Sequence, residues 1–198
     1  EQLIQQLQKV GAENKRHIAV IDNTSNDGVA SFYPSFLTAG FSVVTPNKKA
    51  FSGSLALYEE IQRGKSTSAA NPLVYQESTV GAGLPIIGSL SDLVVTGDRI
   101  KKIEGVLSGT MSYIFNEFSP SEGSTRKFSE IVAVARENGY TEPHPGDDLS
   151  GSDVARKLTI LSRLVPETAK DLPEGYLSVD TQSLTPAGLK DEKNADAY

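Results

Sequence analysis

The chain has 198 residues, a formal net charge of −6 and no cysteine. Its length suits one ordinary domain or two small ones. Without thiols it forms neither disulfides nor thiolate metal sites, which fits a reducing compartment and makes the cytoplasm the expected location. The basic residues form no stripe for a phosphate backbone, and no apolar run approaches the roughly 20 residues that span a bilayer, so neither nucleic acid nor a membrane is an expected partner.

The first third of the chain predicts alternating helices and strands. Apolar residues at helical spacing over residues 3–10 indicate an amphipathic helix. The apolar run 18–21 predicts a buried parallel strand, and a helix over 32–37 leads to a second strand at 41–44. Strand, helix and strand in this order imply a parallel sheet. The helix that follows is expected to stop at Gly64.

The middle of the chain predicts further strands and helices. Residues 73–76 are typical of a strand, residues 84–95 of a helix and residues 103–107 of another strand. Two more helices are expected over residues 110–118 and 129–138.

The last part of the sequence predicts a loop, a helix and a tail. Two prolines predict that residues 143–146 form a loop. Ser152 is expected to cap a helix whose apolar stripe runs to Val165. The polar segment 186–198 has no periodicity and predicts a loop or a frayed tail.

The densest group of charged residues surrounds the start of that helix. Four carboxylates lie there: Glu142, Asp147, Asp148 and Asp153. Lys157 follows Asp153 by four residues, so both share one helix face. These charges indicate a polar site with a partly buried ion pair, or alternatively a helix start whose acids favour the macrodipole.

Polar residues also follow the first two predicted strands. Segments 22–25 and 45–50 lie where parallel strands end, which is where open sheets bind ligands. The alternative for both is an ordinary turn, with hydrogen bonds to its own backbone in the first segment and two solvated lysines in the second.

Two further loops have a functional and a structural interpretation. Glycines in segment 77–85 let the backbone approach a ligand, and carbonyl oxygens beside Glu77 suit a hard cation, whereas a tight strand-to-helix turn is the alternative. Segment 108–110 is either a substrate loop or a helix cap. His17 and His144 are isolated and indicate neither a zinc site nor a general base.

Five segments together resemble homoserine dehydrogenase, especially the short fungal-type enzymes without a fused kinase. They occur in the family's order and at close to its spacing. The matching segments are Asp22-Asn23-Thr24, Thr45-Pro46-Asn47-Lys48-Lys49-Ala50, Glu77 to Pro85, Ser108 to Asn116 and Gly139 to Lys157.

The resemblance implies a fold, a reaction and partners. The expected fold is α/β, with residues 1–75 as the latter part of a Rossmann-like nucleotide-binding domain and residues 76–198 as an incomplete α+β substrate-binding and dimerisation domain with a mixed sheet. The implied reaction is the NAD(P)-dependent interconversion of L-aspartate 4-semialdehyde and L-homoserine in threonine and methionine biosynthesis. The implied partners are this small-molecule substrate, NAD(P)H, a monovalent cation, expected to be sodium, and a second copy in a homodimer.

The resemblance also implies roles for individual residues. The expected catalytic residues are Lys157 as proton donor, Lys48 as the second lysine, and Asp153, which orients Lys157. The expected substrate-binding residues are Glu142, Asp148, Asp147, Thr110 and Gly109. The expected cofactor-binding residues are Asn23, Thr24, Asn47 and Lys48. The expected cation site consists of Glu77 and the backbone carbonyls of Val80, Ala82 and Leu84.

The sequence departs from the family because the Gly-x-Gly-x-x-Gly turn for the cofactor pyrophosphate is missing. Segment 81–83 does not replace it, since it lacks the third glycine and the position in the nucleotide domain. We therefore expect a partial chain, either of a working oxidoreductase or of a non-catalytic fragment that dimerises. A third hypothesis is another amino-acid dehydrogenase with a similar nucleotide domain, which would not need Glu142, Asp148 and Lys157 together.

Overall fold

A computed structural model describes residues 2–198 of the chain, which divides into two compact units. The first unit consists of Glu1–Ile100 and Arg156–Ser178, and the second of Lys101–Ala155 and Val179–Tyr198. Among the helices of residues 2–198, none combines the length and the apolar character that crossing a membrane requires.

The first unit contains a three-stranded parallel sheet and the helices that connect its strands. The elements are α1 (Gln2–Asn14), β1 (Ala19–Ile21), α2 (Asp27–Ala30), α3 (Tyr33–Thr38), β2 (Ser42–Val44), α4 (Lys49–Ser52), α5 (Leu55–Thr67), β3 (Val74–Tyr75) and α6 (Ile86–Val95). The sheet order is β1-β2-β3, and Val43 of β2 is paired with Val20 on one side and Val74 on the other. The predicted α/β, Rossmann-like arrangement is confirmed, whereas the mixed sheet predicted for residues 76–198 is not found, since the last strand within residues 2–198 is β3.

The burial of β1 differs from the prediction. This strand was expected to be buried, but Ile21 is 68% exposed, whereas Val43 in the central strand is fully buried. The reason is topological: within residues 2–198, β1 pairs with β2 and has no strand on its other side. An apolar run predicts a strand in this case but not its place in the sheet.

Helix α5 continues past the glycine that was predicted to end it. Gly64 lies inside the helix and is buried. A Cβ atom at this position would lie 3.1 Å from both Leu37 Cβ and the Pro34 carbonyl oxygen of α3. The glycine therefore permits close packing of α5 on α3 and does not act as a stop signal.

Gly64→Ala is expected to lower the free energy of unfolding by about 1 kcal/mol, because the cost of overpacking exceeds the gain in helix propensity. Urea unfolding followed by circular dichroism measures the change. Gln62→Ala, at an exposed position of the same helix, is the control and should stay within about 0.5 kcal/mol. Equal stability of the Gly64 variant and the parent chain would show that α3 accommodates the added methyl group without a loss of stability.

The second unit is helical around its own apolar core. Its helices are α7 (Gly109–Phe118), α8 (Phe128–Glu137) and α9 (Pro145–Leu149). A further helix, α10 (Ser152–Leu164), begins in this unit, and its residues from Arg156 onward belong to the first unit. The core of the unit consists of Ile114, Ile131, Ala135 and Leu149. The strand predicted over residues 103–107 does not form, since no segment within residues 2–198 pairs with it and an extended backbone becomes a strand only beside a partner.

The structure contradicts one prediction for the end of the chain and confirms the loop alternative of the other, since residues 186–198 form a loop apart from a short 3-10 helix at Ala187–Leu189. The predicted loop 143–146 contains the start of α9, because Pro145 stands at the first helical position, where proline is well tolerated, and the His144 side chain accepts a hydrogen bond from the Gly146 amide at 3.0 Å. The expected tail folds back, since Tyr198 packs against the core of the second unit and its hydroxyl donates to Thr185 Oγ1 at 2.9 Å.

Candidate active site

A buried hydrogen-bond network joins the ends of β1 and β2. Asp22, the residue after β1, accepts hydrogen bonds from the Tyr33 hydroxyl, from Asn47 Nδ2 at 3.0 Å and from the Thr24 amide at 2.8 Å. Thr45, the residue after β2, donates from Oγ1 to the carbonyl oxygen of Asp22 at 2.7 Å. The network fixes the two strand ends side by side at the C-terminal edge of the sheet.

The network sets the charge states of its members. Burial acts to raise the pKa of Asp22, but the hydrogen bonds from Tyr33, Thr24 and Asn47 outweigh it and lower that pKa below the ordinary value. Burial first, and then the hydrogen bond to Asp22, raises the pKa of the Tyr33 hydroxyl. Asp22 is therefore a buried carboxylate that stays ionised at neutral pH.

The predicted cofactor residues lie around this network. Asn47 is 3% exposed, and besides Asp22 its amide group contacts the carbonyl of Asn26 at 3.2 Å and the amide of Lys49 at 3.0 Å. Asn23 and Thr24 are exposed next to it. The structure therefore brings Thr24 and Asn47 together through Asp22, and it gives Asn47 an ordering role that the sequence did not predict.

Asp22→Asn is expected to lower the free energy of unfolding by about 2 kcal/mol, because an amide in place of the carboxylate leaves one buried donor unpaired. The folded pKa of Asp22 lies below the unfolded one, so its stabilisation is present above the unfolded pKa and is lost as pH falls through the folded pKa. Urea unfolding at pH 7 and in acid should show the difference between the variant and the parent chain shrinking in acid.

The control for this experiment is Asp27→Asn. Asp27 pairs with Lys49 at 3.3 Å, but its side chain is 78% exposed, so the change should cost less than about 0.5 kcal/mol at any pH. Equal effects of the two substitutions would show that the buried network contributes no more to stability than the exposed ion pair does.

Lys48 occupies the turn that leads into α4. It is the residue before the first turn of the helix, and its carbonyl oxygen accepts hydrogen bonds from the amides of Phe51 and Ser52 at 3.1 and 2.9 Å. The lysine is half-buried. Its backbone is thus fixed at the C-terminal edge of the sheet, next to Asn47.

The predicted catalytic pair lies on α10. Asp153 and Lys157 stand four residues apart in this helix, and Asp153 is 7% exposed while Lys157 is half-buried. Helical spacing places both on one face. The predicted roles of these two residues stay predictions.

In the second unit the structure brings Glu142, Asp148 and Thr110 to one region. Asp148 Oδ2 accepts from the Glu142 amide at 2.7 Å, and the Thr110 hydroxyl donates to the carbonyl oxygen of Tyr140. Asp148 and Thr110 are buried, whereas Gly109, the first residue of α7, is exposed.

Asp148 is electrostatically unfavourable as a carboxylate. Burial raises its pKa, and the negative charges of Asp153 and Glu142 add to that effect. The hydrogen bond from the Glu142 amide and the interaction with the Thr110 side chain lower the pKa but offset the increase only in part. A positive charge placed beside Asp148 would therefore be stabilised. This is the environment that an ammonium group requires.

Asp147 points to a different place from Asp148. It is exposed, and it lies in the wall of an open groove of about 630 Å³ in the second unit. The lining residues of this groove include Ser150, Thr181 and Lys190 but not Glu142, Asp148 or Thr110. Asp147 therefore lines a groove to which these other predicted substrate residues do not contribute.

The proposed cation loop precedes α6. Both carboxylate oxygens of Glu77 accept backbone hydrogen bonds at the start of that helix, from Ile87 at 2.8 Å and Gly88 at 2.9 Å. Gly81 and Ala82 have positive φ values of 77° and 51°, which is the left-handed conformation of a tight turn. Glu77 thus accepts from the first free amides of α6, and each of its carboxylate oxygens keeps a further lone pair.

The sequence placed Asp22 in the polar segment 22–25 but indicated no individual role for it, and it gave no indication of Tyr33. Asp22 immediately follows an apolar run, which is a usable signal. The contact with Tyr33 depends on the packing of α3 and has no local signature.

Two family models cover most of the chain. The model described as homoserine dehydrogenase matches residues 85–197, and the model described as the NAD binding domain of homoserine dehydrogenase matches residues 1–74. The chain is 49% identical to homoserine dehydrogenase of Saccharomyces cerevisiae over 91% of its own length and 48% of that relative. It is 54% identical to the Emericella nidulans homoserine dehydrogenase over 86% of its length and 45% of that relative. The chain thus spans about half the length of these curated relatives.

Solved structures show the same fold. A protein of unknown function from Candida auris aligns with a TM-score of 0.84 and 48% identity over 98% of this chain and 52% of that one. A hyperthermophilic archaeal homoserine dehydrogenase in complex with NADPH aligns with a TM-score of 0.63 and 28% identity over 79% of this chain and 46% of that one.

Proposed function

Because the chain belongs to the homoserine dehydrogenase family, we propose that the protein that carries it interconverts L-homoserine and L-aspartate 4-semialdehyde with a nicotinamide cofactor. The observation that supports this most directly is the family match over residues 85–197, together with fungal homoserine dehydrogenases that are about half identical in sequence. In this proposal residues 1–75 belong to the nucleotide-binding domain and residues 76–198 to the substrate-binding domain.

The cofactor is proposed to bind through Asn23, Thr24, Asn47 and Lys48. These residues lie at the C-terminal edge of the parallel sheet, where open α/β sheets bind nucleotides. The exposed Asn23 and Thr24 are available for direct contacts, whereas the buried Asn47 orders the turn before α4. A nicotinamide cofactor held by these residues would supply the hydride chemistry of the reaction.

The substrate ammonium group is proposed to bind beside Glu142 and Asp148, with Thr110 and Gly109 close to the substrate and Asp147 at the margin. The support is electrostatic: Asp148 is buried near the negative charges of Asp153 and Glu142, which together raise its pKa, and a bound ammonium group would supply a counter-charge.

Proton transfer is assigned to Lys157. As hydride leaves the hydroxyl-bearing carbon of homoserine, the hydroxyl proton passes to the Lys157 amine, and in the reverse direction Lys157 returns it to the aldehyde oxygen. The positive charge of Lys48 stabilises the developing alkoxide. Asp153, four residues before Lys157 in α10, is the proposed positioning residue for its amine.

A monovalent cation, sodium in our proposal, is assigned to Glu77 and the carbonyl oxygens of Val80, Ala82 and Leu84. An all-oxygen set with one carboxylate suits a hard cation of low charge. The turn at Gly81 and Ala82 and the fixation of Glu77 by α6 support this assignment. The ion would order the loop and take no part in the chemistry.

The assembly and location are also proposals. A homodimer follows from the family resemblance, and a cytoplasmic location agrees with the absence of cysteine from the sequence. The homoserine produced would feed threonine and methionine biosynthesis.

The decisive experiment pairs an intact-mass measurement with a homoserine oxidation assay that follows NAD(P)H absorbance. L-Serine, which is one carbon shorter, is the control substrate. Turnover of homoserine but not serine supports the proposal, and turnover of serine alone would favour another amino-acid dehydrogenase. A protein of 21.2 kDa that is folded, dimeric and inactive would favour the alternative of a non-catalytic dimerising fragment.

A further inference from the structure

Arg163 of α10 is a buried cation that contacts backbone carbonyl groups. It is 3% exposed, and its Nη1 and Nη2 donate to the carbonyl oxygens of Phe51 and Gly53, each at 2.6 Å. Both carbonyls belong to the end of α4. The guanidinium therefore caps the C-terminus of this short helix, where a positive charge is favourable.

A second side chain of α10 reaches the same turn. Arg156 Nη1 donates to Ser52 Oγ at 3.2 Å, and Ser52 Oγ in turn donates to the carbonyl oxygen of Lys48 at 2.8 Å. The Arg156 guanidinium lies 3.6 Å from the centre of the Tyr176 ring, which restricts its movement. The backbone of Lys48 is thus linked to α10 through two side chains.

The other side of the turn is also enclosed. The amide of Leu55 donates to the carbonyl oxygen of Pro173 at 2.9 Å, and Gly175 lies so close to Gly53 that a Cβ would overlap the carbonyl group of Gly53. The segment 51–53 is therefore enclosed by backbone on one side and by the arginines on the other.

The choice of arginine at position 163 has a cost that packing alone does not explain. Burial lowers the pKa of Arg163, with Tyr58 opposing this effect, so the charged form gives up hydration at this position. An apolar side chain of similar volume would fill this space at a lower free-energy cost, because it gives up no hydration of a charge. The rigid fork of guanidinium donors matches two carbonyls at once, which neither lysine nor an apolar residue does. What the arginine adds is a fixed geometry of residues 51–53.

We propose that Arg163 and Arg156 are positioning residues that fix the turn carrying Lys48 against α10 and so set the position of Lys48 relative to Lys157. Lys157 directly follows Arg156 in α10, and Lys48 directly precedes α4. The inference rests on the proposed function, in which both lysines serve one reaction. A displacement of about 1 Å between groups that act together costs about 10²-fold in rate.

Arg163→Met in the complete protein tests the proposal, because methionine keeps much of the volume and removes the donors. The expected result is a loss of kcat for homoserine oxidation of about 10- to 100-fold, with KM changed less than about 3-fold. A purely structural arginine would lower the melting temperature and leave kcat per folded enzyme unchanged. That outcome would overturn the proposal.

The same substitution in a Lys48→Ala background tests whether Arg163 acts through Lys48. If it does, Arg163→Met lowers kcat by less than about 3-fold there, since the group that it positions is already absent. A full 10- to 100-fold further loss would contradict the proposed link.

Ser52→Ala provides the test if Arg163→Met does not fold. It interrupts only the link from Arg156 to Lys48 and should lower kcat about 3- to 10-fold. Ser66→Ala is the matched control, because the Ser66 hydroxyl also donates to a carbonyl, that of Arg63, but lies on the exposed part of α5. Equal kcat values in the two serine variants would argue against the link.

Amide hydrogen exchange separates this inference from the proposed function. Exchange at residues 51–53 should become at least about 10-fold faster in Arg163→Met than in the parent protein, without faster exchange in β2. Unchanged exchange overturns the positioning role, whether or not the protein oxidises homoserine. Inactivity of the parent protein towards homoserine, by contrast, would refute the proposed function. The exchange measurement would still show whether Arg163 fixes residues 51–53.

Discussion

Lys157→Ala is expected to lower kcat for homoserine oxidation by about 10²- to 10⁴-fold, the contribution of a positioned general acid or base. Lys157 lies on α10 and is half-buried. In our proposal it receives the hydroxyl proton, so the substitution removes that acceptor. KM should change little, because the carboxylates proposed for the ammonium group are untouched. Steady-state kinetics of the complete protein measure both constants.

Lys157→Arg distinguishes proton transfer from a structural ion pair. Arginine keeps the positive charge but does not deprotonate near neutral pH, so this variant should fold like the parent and lose nearly as much kcat as the alanine variant. Lys170→Ala, at an exposed position beyond α10, is the control and should retain full activity. Full activity of Lys157→Arg would mean that the charge alone matters and that our assignment of the proton is wrong.

Asp148→Asn is expected to raise KM for homoserine on the order of 100-fold while it stabilises the fold by about 1 kcal/mol. The two effects have one cause, since the carboxylate is buried near the negative charges of Asp153 and Glu142. In the variant, the side-chain amide oxygen still accepts the hydrogen bond from the Glu142 backbone amide but carries no negative charge. Kinetics and urea unfolding of the same preparation measure the two effects.

The stabilisation should depend on pH in a defined direction. The folded pKa of Asp148 lies above its unfolded value, so its favourable contribution is present below the unfolded pKa and is lost as pH rises through the folded pKa. The variant should therefore match the parent chain in acid and exceed it near neutral pH. Asp180→Asn, an exposed acid of the same unit, should change neither KM nor stability. A less stable Asp148 variant at pH 7 would contradict the raised pKa.

The parallel sheet could be predicted because its signals are local. Short apolar runs that end in polar residues, alternating with helical periodicity, define strands and helices within a few residues. The same signals do not reveal which strands pair with one another. The run 103–107 has the composition of a strand but pairs with no segment of residues 2–198, and the exposure of Ile21 follows from the position of β1 at the sheet edge.

Glycine and proline caused the other errors because their role depends on packing. Gly64 has the composition of a stop signal but lies inside α5, where α3 leaves no room for a side chain. Pro145 breaks a helix in its interior but begins one at the first position. Neither context is visible in the neighbouring sequence.

The site was predictable to the extent that it is contained in contiguous segments. The segments that hold Asn47 and Asp148 were identified because they match the family as short runs. Arg163 was not, since its carbonyl partner Phe51 lies 112 residues earlier. The available signal was a cation between Leu161 and Val165, two buried positions of the apolar stripe of α10.

The position of β1 at the edge of the sheet also bears on how a chain of this length behaves at high concentration. Its outer side, which no strand of residues 2–198 covers, offers backbone donors and acceptors to another extended peptide, and the exposed Ile21 adds apolar surface. At neutral pH the net charge of −6 keeps copies apart. That repulsion vanishes near the isoelectric point of about 5.0, so edge-to-edge aggregation should begin there first.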